Sequence, residues 1–161
     1  MSDLRNRQRV LWAFAAALLM VVGAAAAPED LRLVEAVKNQ DVQQARALIS
    51  RHPDVNARSG DGSTALLWAA HWNDLQTADL LVRAGADANA ANDFRMTPLA
   101  RACTNGSAAF VDVLLKAGAN PNTPIGTGET PLMTCARTGS VDAVRMLLVR
   151  GADVNAAEPN Q

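Results

Sequence analysis

Four side chains dominate the short inventory of groups that could do chemistry here: His52, His71, Cys103 and Cys135. The chain has no Tyr to add to them. A general base or an activated nucleophile needs a partner held at a defined spacing, and neither His has one. His52 stands in the run His52-Pro53-Asp54 and reads as a loop residue. His71 closes an apolar run beside Trp72 and reads as a surface side chain. No Cys or His spacing resembles a zinc site. No Ser sits in a nucleophile-elbow context, and no glycine loop resembles a phosphate cradle. Asp61-Gly62 is a pair of turn formers. Neither metal nor cofactor is expected, and an enzyme centred on His71 is the least supported reading of function.

The elements that must carry these residues come from a repeat. Thr64-Ala65-Leu66, Thr97-Pro98-Leu99 and Thr130-Pro131-Leu132 recur every 33 residues. Gly85-Ala86-Asp87, Gly118-Ala119-Asn120 and Gly151-Ala152-Asp153 keep the same interval, as do Asn56, Asn89, Asn122 and Asn155. A period of this length means stacked supersecondary units, none of which buries its apolar face alone.

Each unit reads as helix, tight turn, helix, long loop. Thr64, Thr97 and Thr130 precede apolar runs and are good N-caps; Pro98 and Pro131 follow at the first helical position, where a missing N–H costs nothing. Paired small residues (Ala69-Ala70, Ala102-Cys103, Cys135-Ala136) let neighbouring helices approach. Asn73, Gly106 and Gly139 tolerate positive φ and end the first helix. Asp74, Ser107 and Ser140 then cap a second helix, whose buried side carries Leu80-Leu81, Val113-Leu114-Leu115 and Met146-Leu147-Leu148. Gly85, Gly118 and Gly151 terminate it.

This pattern resembles the ankyrin repeat over about residues 31–157. The resemblance implies an all-α repeat solenoid of stacked helix-turn-helix units, with β-hairpin finger loops that line a concave groove together with the first helices. The repeats divide as 28–58, 59–91, 92–124 and 125–157, with the start of a fifth. The first copy is degenerate: Leu31-Arg32-Leu33 replaces Thr-Ala-Leu, yet Leu33, Ala36, Val37, Leu48 and Ile49 keep the buried pattern. It reads as an N-terminal cap. The next Thr in phase would fall at 163, beyond Gln161, so truncation of a longer array is expected, with Val141, Val144, Leu147, Leu148 and Met133 partly turned toward missing repeats.

In partner-binding members of the family, contacts come from fingertips and from the ends of first helices. Carried onto matching positions, these are Gly60, Asp61, Ser63, His71 and Trp72; Asp93, Phe94, Met96, Thr104 and Asn105; and Gly126, Thr127, Glu129, Arg137 and Thr138. Phe94-Arg95 replaces the Asp61-Gly62 turn of the preceding repeat, and an aromatic, an Arg and a Met on one fingertip are interface residue types. The plainer alternative is that Phe94 folds back on the next finger. Trp68 takes a place the family gives to Leu and should pack within the stack, leaving Trp72 more exposed. Its column continues as Glu35, Arg101 and Thr134, for which partial exposure is expected; a Glu35–Arg101 pair would have to reach past Trp68.

Residues 1–26 are a different object. Arg5, Arg7 and Arg9 precede an uncharged run from Val10 to Ala27 that ends in four Ala before Pro28. This is the pattern of a secretory signal cleaved after Ala26; the alternative is an uncleaved membrane anchor. Cleavage removes three Arg and Asp3, leaving 12 basic and 15 acidic side chains and a formal charge of −3. With no Lys/Arg run, nucleic acid is not an expected partner. Export makes disulfides possible. Yet Cys103 and Cys135 sit one repeat apart, where helices stacked at ~10 Å would hold their Cα atoms beyond the ~7 Å a disulfide spans, so two buried free thiols are expected. The function expected is a non-catalytic protein-interaction module in a bacterial periplasm or the extracellular space; the alternative is a fragment of a larger secreted array acting as a spacer.

Overall fold

The computed structural model describes residues 29–156. Residues 1–28, which include the expected signal at 1–26, and the residues after Ala156 lie outside this range. The described residues form eight helices in four antiparallel pairs: α1 (Glu29–Lys38) with α2 (Val42–Ile49), α3 (Ala65–Trp72) with α4 (Leu75–Arg83), α5 (Pro98–Thr104) with α6 (Ala108–Lys116), and α7 (Pro131–Arg137) with α8 (Val141–Val149). First helices stack on first helices and second on second, one repeat to the next. The all-α repeat solenoid is therefore as expected.

Local chemistry sets the helix ends. Buried Thr64, Thr97 and Thr130 accept the backbone N–H three residues on, and Asp41, Asp74 and Ser107 do the same for second helices. Ser140 holds the equivalent place but makes no side-chain capping bond. Asn73, Gly106 and Gly139 take positive φ at the inter-helix turn. The degenerate first repeat keeps that backbone with less suitable residues, since Gln40 (φ 59°) and His52 (φ 56°) stand where later repeats place Asn or Gly.

Leu33, Leu66, Leu99, Leu114 and Leu147 form a continuous core along the stack, with Phe110 wholly buried among them. On the last repeat Leu147 is buried and Val144 packs against the core, whereas Val141 and Leu148 are exposed. The repeated Asn acts as a clamp. The Asn89 side chain donates to Gly118 O (3.0 Å) and accepts from Asn120 N (2.7 Å); Asn56 and Asn122 bridge their own pairs of repeats in the same way.

Two expectations change. Each finger is a five-residue turn, closed by bonds such as Ser59 N to Ser63 O (2.9 Å) and Asn92 N to Met96 O (3.1 Å), but no strand extends from it among the described residues. Cys103 and Cys135 are not free thiols: they form a disulfide with Cα atoms 4.6 Å apart. Stacking at a full helix diameter does not apply where both facing residues are small. Ala102, Cys103 and Cys135 are all fully buried at the contact, and the one-place offset brings the two Cys face to face.

Candidate functional site

Fingers two (59–63), three (92–96) and four (125–129) stand beside α3, α5 and α7. Their fourth residue takes positive φ each time: Gly62 at 75°, Arg95 at 58° and Gly128 at 90°. Arg95 thus occupies a glycine position, where a side chain meets its own backbone. Asn92 holds this finger by accepting from Phe94 N (3.1 Å) and Met96 N (3.0 Å) and donating to Ser63 Oγ (3.3 Å). Asp93 N donates to Asp61 O at 3.0 Å, so finger three is also tied to finger two.

Phe94 is 73 % exposed and does not fold away into the stack. It stands between two concavities. One, of about 240 Å³, lies between fingers two and three, and Trp68, His71 and Arg101 from the first helices line it with Asp61 and Asn92. The other, of about 410 Å³, separates fingers three and four and is lined by Asp93, Arg95, Met96, Ile125, Gly126 and Thr127. Gly126 permits that approach, since a Cβ there would lie 3.0 Å from Phe94 O.

The residues expected at the ends of first helices divide differently. Trp72 is exposed at 42 %, but its indole N–H donates to Lys38 O at 3.0 Å. One repeat on, the Asn105 amide donates to Ala70 O (2.8 Å) and His71 O (3.3 Å). Thr138 donates to Cys103 O at 3.1 Å. All three reach carbonyls near the end of the preceding first helix, where Ala70 O and Cys103 O also accept from Asn73 N (3.2 Å) and Gly106 N (2.9 Å) of the turn. Thr104 donates to Ala100 O in its own helix. Glu129 and Arg137 pair with each other, Arg137 meeting Glu129 Oε1 through two nitrogens at 2.7 and 3.1 Å. That leaves Asp93, Phe94, Arg95 and Met96 as expected residues with exposed or half-exposed side chains that make no hydrogen bond or ion pair among the described residues. With them stands exposed His71, whose ring packs on Trp68 and Trp72.

Electrostatics set the character of the smaller concavity. Asp61 accepts from Ser59 Oγ (2.6 Å), Ser63 N (3.1 Å) and Ser63 Oγ (2.9 Å). These bonds, led by that from Ser59, lower its pKa from 3.8 to about 2. The His71 ring lies edge-on to Trp68 (centroids 5.4 Å apart) and Trp72 (4.5 Å). Partial burial of the imidazole, and secondarily the positive Arg101, push its pKa below 6.5. Lys38 stands over the Trp68 ring, 5.5 Å from its centroid.

Arg101 was visible in the sequence only as a charged residue in an apolar column. Here it is half-buried in the groove floor, its Nε shut off from solvent with no hydrogen-bond partner. Trp68 Nε1 is in the same condition. The column differs member by member: Glu35 is exposed and pairs with Lys38 at 3.5 Å, Thr134 is buried and donates to Thr130 O, and no Glu35–Arg101 pair forms. No group of three or more His, Cys, Asp or Glu able to hold a metal occurs among the described residues, and none of their helices is long and apolar enough to cross a membrane.

A family model described as "Ankyrin repeats (3 copies)" matches residues 33–125 and 73–158. No curated protein matches the chain.

Proposed function

The chain belongs to the ankyrin-repeat family, and from that premise we propose that it is a non-catalytic module that docks a partner protein in its concave groove, centred on finger three. Ankyrin repeats generally mediate protein–protein interaction. The observation that carries the reading is Phe94: a 73 % exposed aromatic between two concavities, beside a non-glycine residue held at φ 58°. Exposed aromatics beside Arg and Met are the residue types that anchor interfaces. Strained backbone retained at one repeat and relieved by glycine in its neighbours is also a mark of a working surface.

The contact set is narrower than the list that the resemblance supplied. Phe94, Arg95, Met96 and His71 make the face, with Asp93 at its edge. Trp72, Asn105 and Thr138 hold the stack together, and Glu129–Arg137 forms a rim pair.

The protein acts outside the cytoplasm, in a periplasm or the extracellular space, with residues 1–26 serving as a cleaved signal. The basic-then-apolar start supports this, and so does the Cys103–Cys135 disulfide, since such bonds persist in oxidising compartments.

A photo-reactive aromatic placed at position 94 tests the groove. It should crosslink a protein from the exported fraction, whereas the same group at exposed Val149, on a second helix, should not. Crosslinking at Val149 alone would move the site to the other face. N-terminal sequencing of the exported protein tests the signal: a start at Ala27 supports cleavage, and retention of residues 1–26 supports the anchor.

A further inference from the structure

We infer that Arg101, in the floor between fingers two and three, receives a carboxylate from an acidic segment of the partner protein, with an apolar neighbour of that carboxylate resting on Phe94. This deepens the groove reading and rests on it.

Charge is the first argument. The Arg101 side chain makes no hydrogen bond or ion pair among the described residues, whereas Arg83, Arg137, Arg145 and Lys116 each have an acidic partner within 4 Å. The one acidic residue lining this concavity, Asp61, has both carboxylate oxygens engaged by Ser59 and Ser63 within its own finger. It therefore forms no ion pair with Arg101, although it stays ionised in the same concavity.

Unmet hydrogen bonding is the second. Arg101 Nε and Trp68 Nε1 are donors cut off from water without an acceptor, an arrangement native proteins avoid unless something completes it. A carboxylate suits this place better than a neutral acceptor, because the guanidinium fork takes both its oxygens at once. Because Nε is shut off from solvent, the proposal requires the Arg101 side chain to turn toward the groove to present that fork. The Phe94 ring stands at the rim of the same concavity, so the segment should carry an apolar residue next to its Asp or Glu.

A random-peptide display library, selected on the protein, supplies the probe. The selected peptides should be enriched in Asp or Glu adjacent to an apolar residue. Replacing the acidic residue of such a peptide by its amide should weaken binding about tenfold or more. Arg101→Met should weaken the acidic peptide by a similar factor and leave the amide peptide unaffected, and Arg101→Lys should fall between. Peptides lost on Phe94→Ala but indifferent to the acid-to-amide change overturn the carboxylate assignment while the groove reading stands. Peptides indifferent to Phe94→Ala as well overturn both. The peptide substitution leaves the protein untouched, so it reads out even if an Arg101 variant folds poorly.

Discussion

Trp72 donates its indole N–H to the carbonyl of Lys38, 3.0 Å away in the preceding repeat. A side chain at a position given over to partner contact in related proteins is here a clamp between repeats one and two. Asn105 and Thr138 repeat the arrangement along the stack, so the array uses one column of side chains to close the ends of its first helices.

Trp72→Phe keeps the ring and removes the donor. The Lys38 carbonyl then loses its partner, at a cost of about 1 kcal/mol, and urea unfolding should show a lower midpoint with an unchanged slope. Partner binding should be little altered. An unchanged midpoint would mean that water replaces the indole at no cost.

Arg95→Gly should stabilise the protein by roughly 1 kcal/mol, because φ 58° strains an L side chain and not glycine. Gly62→Ala should do the reverse at the equivalent place: its φ is 75°, and a Cβ would lie 2.5 Å from Asp93 Oδ1. Thermal melts of the two variants should move in opposite directions. If Arg95→Gly also weakens partner binding, the strain is retained for a contact.

The disulfide joins residues 32 apart in sequence. Closing a loop of that length removes unfolded-state entropy worth about 3 to 4 kcal/mol on the chain-entropy account. Cys103→Ala/Cys135→Ala should therefore melt well below the parent. Reductant should lower the parent toward the variant and leave the variant unmoved. Equal melting with and without reductant would remove the disulfide from the stability of the array.

Acid should weaken finger two specifically. The folded pKa of Asp61, about 2, lies below its ordinary 3.8, so its contribution is complete above about pH 4 and is lost as pH falls through that interval toward 2. Asp61→Asn should flatten the stability profile between those values and lower stability at neutral pH, where the contribution of the carboxylate is complete. His71, also shifted downward, should titrate by NMR below 6.5, and Arg101→Met should move its midpoint partway back, since partial burial is the larger cause.

Much of this architecture was legible because it depends on local chemistry. Thr64, Thr97 and Thr130 announce helix starts, and Asn73, Gly106 and Gly139 announce the turns. What was not legible depends on distances between repeats. The disulfide escaped because an average helix spacing stands in poorly for a contact between Ala102, Cys103 and Cys135. The clamps made by Trp72, Asn105 and Thr138 escaped for the same reason: their acceptors lie 34 or 35 residues back. Gln40, His52 and Arg95 hide positive φ because their residue types do not advertise it. Arg101 stood out as a charge in an apolar column, but only the groove around it shows what it lacks.

On the reading proposed above, finger three and the groove beside it bind a partner protein. The most direct measurement is affinity capture from the exported fraction of the source organism, comparing the protein with a Phe94→Ala/Arg95→Gly variant of equal or greater stability. The expected result is a protein held by the parent and lost by the variant, with the same protein crosslinked from position 94. Equal capture by both would contradict it and place the binding surface elsewhere on the array.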